Sequence, residues 1–265
     1  MSIVTYTVNH KSFVEAVEAI WLKGKYKSST VSKTDVISNS AVAIYENGWL
    51  ELLNGNDKSA LSVKVEMAST DTKNNMFIFD IEKMMKYIKN MKTEQLLITI
   101  NDAKISLVGQ GGSKAVLPKL LEHTSMALIT MIRAFNYVED EPVIFGKTTM
   151  TCVIPVHGSL LADAIKFCNL VGTATFKIDY VEGNEDFDGL ETLTISSTNH
   201  HRTELVEKVM PTNGSGKGNA TVEFSAPIDK FCIDDDMNII TGDNMPIILT
   251  GLNRKMVIAP YIRVD

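Results

Sequence analysis

Lys83, Lys86, Lys89 and Lys92 recur every third residue beside an apolar series, Ile81, Met84, Met85, Ile88 and Met91. The apolar spacing is that of one helical face. It sets Lys83, Lys86 and Asn90 on the opposite side, with Lys89 at the border. A row of ammonium groups on such a face attracts phosphates without reading a base sequence. Its ordinary alternative is a solvated lysine face. Three further amphipathic stretches carry single cations, at Lys11, Lys166 and Lys230, and Lys23, Lys25 and Lys27 follow the first of them.

The remaining candidates for chemistry are thin. Gly109-Gln110-Gly111-Gly112-Ser113 follows a strand pattern, but no helix opens behind it, so it reads as a turn rather than a dinucleotide loop. Gly216-Lys217-Gly218 lacks the earlier glycine and the following hydroxyl residue of a phosphate loop. His200 and His201 are neighbours on an extended segment and face opposite sides, which leaves one metal ion out of reach of both. Asp234-Asp235-Asp236 reads as a solvated helix end. Cys152, Cys168 and Cys232 are dispersed, and the last two lie on apolar faces, as structural thiols do. No catalytic constellation, metal set or cofactor motif emerges, and the expectation is a protein that is not an enzyme.

Composition agrees with that expectation. The 265 residues are 45% hydrophobic and 22% charged, enough apolar material for two cores. No apolar run is long enough to cross a bilayer, and the amino terminus lacks a basic start followed by an apolar stretch. An odd number of scattered cysteines suits a reducing compartment, cytoplasmic or nuclear, including that of a virus-infected cell. The sequons at Asn213 and Asn219 are then chance matches. The net charge of −6 excludes a body coated in basic surface but not a local basic lining.

Four elements must position the lysines. The first runs from Asn9 or Ser12 to Leu22, stopped by Gly24, with Phe13, Val17, Ile20 and Trp21 inward. The second spans Ile81–Lys92. The third spans His157–Asn169 with Leu160, Leu161, Ala164, Ile165 and Cys168 inward. The fourth begins at Pro227 and ends near Asp234. Their starts lie about 70 residues apart within each half and about 145 apart between halves, the signature of an internal repeat. Between them lie short alternating segments read as strands: 42–45, 49–53, 61–67, 96–100, 104–108, 149–154, 173–180, 191–197, 204–209, 221–224, 246–250 and 255–259. The predicted class is α+β, two similar modules, each of antiparallel sheets with two helices. They occupy 1–120 and 148–265, with a long, apolar, partly helical connector over 121–147 in which the acidic run Glu139-Asp140-Glu141-Pro142 follows the helical part.

Three segments carry a resemblance. Phe224–Phe231 through Asn244–Leu249, followed by Met256-Val257-Ile258-Ala259-Pro260-Tyr261-Ile262, is similar to the end of a DNA sliding clamp, with its proline-led hairpin strand and terminal Ala-Pro strand. Val153-Ile154-Pro155 running into the Leu160–Cys168 stretch resembles the start of a clamp's second module. Gly48–Leu53 with Ala60–Met67 resembles its early strand pair. The likeness is to the proliferating cell nuclear antigen type and the clamps of large phages.

The resemblance implies a processivity factor, three two-module chains closing a ring of six modules around duplex DNA, with helices lining the hole. It implies DNA contacts by Lys11, Lys83, Lys86, Lys89, Lys92, Lys166 and Lys230. It also implies a pocket for partner peptides, of a polymerase or other clamp-binding proteins, at Leu53, Val138, Ala259, Pro260 and Tyr261, and loading onto DNA by a clamp loader. Glu15 and Glu18 on the first helix and Asp234–Asp236 make the lining less basic than the family leads one to expect. Two alternatives fit the same residues: a clamp-like accessory factor binding DNA as a monomer or dimer, and a protein-interaction module without a DNA role.

Overall fold

A computed structural model describes residues 3–22, 39–56, 58–69, 75–121, 126–139, 141–172, 175–183, 191–199, 203–226 and 228–261. The chain divides into two compact units: Met1–Asp57 with Leu61–Ile129, and Lys58–Ala60 with Thr130–Asp265.

Unit 1 opens with β1 (Val4–Asn9) and α1 (His10–Ala19). It continues through β2 (Ser40–Glu46), β3 (Trp49–Gly55), β4 (Ser59–Ser69), β5 (Asn75–Asp80), α2 (Ile81–Ile88), β6 (Gln95–Ile100), β7 (Lys104–Gly109) and β8 (Lys114–Pro118). The strand order is β5-β2-β3-β4-β1-β6-β7-β8, and the paired strands are antiparallel wherever their register is defined. The chain leaving β8 returns to β5 through an Ile78–Leu120 bridge, so the two ends of the sheet meet. Helix α3 (Met126–Ala134) follows, and the division between the units falls inside it.

After a two-rung hairpin of β9 (Ile144–Phe145) and β10 (Thr148–Thr149), unit 2 repeats the plan. It runs β11 (Cys152–His157), α4 (Gly158–Cys168), β12 (Phe176–Val181), β13 (Thr192–Thr198), β14 (Leu205–Met210), β15 (Ala220–Phe224), β16 (Asp236–Thr241), β17 (Ile247–Gly251) and β18 (Arg254–Ile258). The pairings β11–β16–β17–β18 and β14–β13–β12–β15 match β1–β6–β7–β8 and β4–β3–β2–β5 one for one. The closure repeats as well: the chain leaving β18 returns to β15 through a Phe224–Pro260 bridge and a Tyr261 amide bonded to Glu223 (2.7 Å). Even single bonds recur. The amide that opens α1, His10, donates to the Glu94 carbonyl just before β6 (2.9 Å). The amide that opens α4, Gly158, donates to Asp235 just before β16, also at 2.9 Å.

One predicted helix is corrected. Between β15 and β16 the chain makes a single turn, in which Phe231 and Cys232 both donate to the Ile228 carbonyl (3.0 and 3.1 Å). Ala226, Ile228, Phe231 and Cys232 are buried. An i, i+3, i+4 apolar pattern is satisfied by one turn as well as by three. Carboxylates at Asp234 and Asp235 would face the negative end of a longer helix. The Asp234–Asp236 run is no helix end, because Asp236 opens β16. Asn75–Asp80, Lys114–Pro118 and Asp236–Thr241 are strands that the alternation did not reveal. The segment predicted at 149–154 is displaced to Cys152–His157. Helix α1 ends at Ala19, short of Leu22, and Gly24 lies outside the described residues.

The two units also seal the edge of their opening strand differently. Strand β4 is long enough to pair with β1, at Met67–Ser69 against Tyr6–Val8. The corresponding β14 stops at Met210, and the glycine-rich chain after it lies along β11. Val153 and Lys217 exchange both backbone bonds (2.9 and 2.8 Å), and the Asn213 amide donates to Pro155 (2.8 Å). A Cβ on Gly216 would lie 2.2 Å from the Tyr180 hydroxyl, so glycine is required by close approach there.

Candidate nucleic-acid interface

Helix α2 forms for reasons visible in its ends. The Asp80 carboxylate accepts from the Lys83 amide (2.9 Å) as N-cap, Glu82 sits in the first turn and Lys86 in the last, so each charge favours the helix dipole. Ile81, Met84, Met85 and Ile88 are buried, which fixes the helix by packing and leaves Glu82, Lys83, Lys86, Tyr87, Lys89 and Asn90 exposed. Helices α1 and α2 pack on each other, and His10 Nε2 donates to the Ile88 carbonyl (2.8 Å), tying the start of α1 to the end of α2.

The seven predicted cations differ in state. Lys89 forms an ion pair with Glu18 of α1, and Lys83 lies 3.7 Å from its own cap Asp80. Lys11 stands 3.9 Å from Glu15, and Lys166 lies 3.2 Å from Asp163. All four pairs are solvent-exposed to a degree that makes them weak, of the order of 0–1 kcal/mol each, so a phosphate competes readily for the lysine. Lys86, 5.9 Å from the Tyr87 ring centroid, Lys92 and Lys230 have no ion pair among the described residues. The structure brings Lys11, Lys83, Lys86, Lys89 and Lys92 together in unit 1 and places Lys166 and Lys230 in unit 2. Lys23, Lys25 and Lys27 lie outside the described residues.

The acidic residues do not stand idle. Glu18 holds Lys89. Asp236 accepts from Asn213 (2.6 Å), and Asp234 lies 3.7 Å from His157. The exposed face of α4 differs from that of α2: Leu160, predicted to be inward, is exposed, as are Phe167 and, just past the helix, Leu170.

Of the predicted peptide pocket, Leu53 is fully buried in β3, whose residues from Leu50 to Gly55 are all buried. Val138 (43%) and Tyr261 (48%) are exposed, Ala259 is exposed at the end of β18, and Pro260 is held by its bridge to Phe224. Within unit 2 the connector is anchored from β18: Lys255 Nζ donates to the Phe135 carbonyl at the end of α3.

The thiols are buried. Burial pushes Cys152 and Cys232 up to about 12 and Cys168 to about 11, far from a nucleophilic thiolate at neutral pH. The Gly109–Ser113 segment is the hairpin turn between β7 and β8, with Gly111 and Gly112 at positive φ. His200, His201 and Arg202 lie outside the described residues. Among the described residues no group of three metal-binding side chains gathers, and no helix is long and apolar enough to cross a membrane. A shallow groove of about 240 Å³ on the β12–β14 sheet holds Lys177 and Asp179, which pair with each other (2.7 Å).

No family model matches the chain, and no curated protein matches it in sequence. Solved structures do. The chain superposes on the proliferating cell nuclear antigen of A. fulgidus, solved with the C-terminal region of FEN-1 bound. The TM-score is 0.67 at 12% identity, over 99% of this chain and 100% of that one. The Entamoeba histolytica protein of the same name gives 0.66 at 12%, over 99% and 100%. The DNA polymerase III beta subunit of Thermotoga maritima gives 0.67 at 12%, over 99% of this chain and 66% of that chain. The fold is that of the DNA sliding clamps, at full length for the first two and about two-thirds of the length of the third.

Proposed function

We propose that this chain is a processivity clamp, a scaffold rather than an enzyme, that encircles duplex DNA and tethers a polymerase and other partners. The observation that carries the reading is the exposed lysine row of α2 on a fold that matches sliding clamps from end to end. Phosphate contacts by Lys11, Lys83, Lys86, Lys89 and Lys92 would be independent of base sequence, which suits sliding. The modules are 1–120 and 148–265, joined by 121–147.

A ring of six modules needs three copies of a two-module chain. Two strand edges support such closure. Among the described residues β8 and β14 each lack a partner on one side. They expose Val116 in one case, Leu205 and Val209 in the other. An unpaired apolar edge is a template for another chain's strand. Val138, Ala259, Pro260 and Tyr261 form the partner-peptide surface in this reading, as the clamp bound to the FEN-1 region suggests by fold alone.

Light scattering with and without circular DNA tests the assembly, and polymerase extension tests the role. A trimer retained on closed circular DNA is expected. The triple variant Lys83→Glu, Lys86→Glu, Lys89→Glu should stay folded and lose most polymerase stimulation; unchanged stimulation would refute the assignment of this face. A monomer or dimer that binds linear and circular DNA alike would favour an open, clamp-like accessory factor.

A further inference from the structure

The helix α2 segment and its counterpart in the second repeat carry opposite charge. Between β5 and β6 the chain has four lysines against Glu82 and Glu94, a net of +2. Between β15 and β16 it has Lys230 against Asp229, Asp234 and Asp235, a net of −2. The α4 segment compensates for none of this. Its one lysine, Lys166, is paired with Asp163 at 3.2 Å, and its exposed face shows Leu160 and Phe167 rather than a lysine row. At physiological salt a charge is felt over about 8 Å, so a phosphate near Lys230 meets the aspartates of the same short turn as well.

Resting on the clamp reading, we propose that the phosphate contacts are made by unit 1 alone: each chain grips duplex DNA through Ile81–Lys92 and leaves its second repeat without a grip. A closed ring of three chains then holds DNA through three segments and not six. The contacts that decide this are Lys86 and Lys92, the cations of the α2 segment without an ion pair among the described residues. In unit 2 neither the shape of the segment, a turn in place of a two-turn helix, nor its charge presents a row of donors.

The test removes equal charge from each unit. Binding of a short duplex to the full chain is followed by fluorescence anisotropy from low to high salt, with the unmodified chain, a Lys86→Ala/Lys92→Ala variant and a Lys166→Ala/Lys230→Ala variant. All four side chains are exposed, and circular dichroism checks that both variants fold. Each phosphate contact contributes about −0.9 to the slope of log K against log salt. The first variant is expected to flatten the slope by about 1.8 for each engaged chain, and the second to leave it unchanged. Equal flattening by both variants, or flattening by the second alone, overturns the inference while leaving the clamp reading intact. No salt-dependent association of the unmodified chain with duplex DNA overturns both.

Discussion

The segments Ile81–Glu94 and Ser225–Asp235 occupy the same place in the two repeats, between the fifth and sixth strands of each unit, and they are built oppositely. The first is a capped helix with four buried apolar side chains and a lysine face. The second is one turn locked by Phe231, whose ring lies 5.6 Å from the Arg254 guanidinium and whose carbonyl accepts from it. The strands on either side of them pair in the same order, and the bond that ties each segment's end to the opening helix recurs. The surface element can therefore be exchanged without changing the sheet, because the sheet needs only a few inward side chains from whatever covers that position.

The largest effect is expected where the turn has least redundancy. Phe231 is fully buried, and the buried side chains beside it in the turn, Ala226, Ile228 and Cys232, are all smaller. Phe231→Ala should lower unit 2 stability by about 3–5 kcal/mol, the range for deleting a core aromatic. Met84→Ala in α2 should have the smaller effect, because Ile81, Met85 and Ile88 keep the helix seated. Calorimetric midpoints of the two variants decide this. A greater loss for Met84→Ala would show that the helix, not the turn, is the fragile cover.

A second difference is chemical. All three cysteines lie in unit 2 and are buried. Burial raises Cys152, where Glu182 and Asp243 add to the effect. It raises Cys168 against a lowering backbone hydrogen bond, and Cys232 against the lowering charge of Arg254. Unfolding returns each thiol to about 9.0, so the unfolded chain ionises first. The stabilisation is whole below pH 9 and fades as pH rises toward 11 or 12. Each thiol that ionises only on unfolding removes about 1.4 kcal/mol per pH unit in that window. Tyr180, raised by burial and by its bond to Glu191, acts in the same direction. Melting from pH 8 to pH 10.5 should show unit 2 failing first; equal shifts of both units would sink the expectation.

How much of this the sequence disclosed depends on whether a pattern was local. Helix α2 is legible because the Ile81, Met84, Met85, Ile88 spacing and the lysine face agree within one short segment. The repeat is legible because each unit restates the order strand, helix, strands. Strands such as Asn75–Asp80 and Asp236–Thr241 are not, because what makes them strands is a partner far along the chain, β2 in one case and β11 in the other. The turn at Ile228–Cys232 is hidden for a related reason: its apolar positions match a helix, and only the packing beside Gly158 limits its length. A Cβ on Gly158 would lie 2.3 Å from the Ile233 carbonyl, so the start of α4 abuts the chain where a longer helix would run. Leu160 reads as inward because it adjoins Leu161 in the apolar series, and the helical phase turns it outward. The lysines were legible as a row, but not the pairing of Lys89 with Glu18, which depends on α1 lying against α2.

The smallest predicted effect separates the scaffold of the lysine helix from its charge. Asp80 does three things: its carboxylate caps α2 through the Lys83 amide, accepts from Asn39 Nδ2 (3.3 Å), and lies 3.7 Å from the Lys83 ammonium. Asp80→Ala removes all three, and should lower unit 1 stability by about 1 kcal/mol, the usual worth of an N-cap. Asp80→Ser keeps a capping oxygen and removes the negative charge and the long bond to Asn39, so stability should hold to within about 0.5 kcal/mol. If the lysine row meets phosphates, the serine variant should bind duplex DNA more tightly than the unmodified chain, and the gain should shrink as salt rises. Tighter binding without lost stability would place the attraction in the charge of the row itself. Weaker binding by the serine variant would mean that the Asp80 carboxylate orders Lys83 for its contact, and that the contrast between the two repeats lies in geometry more than in charge.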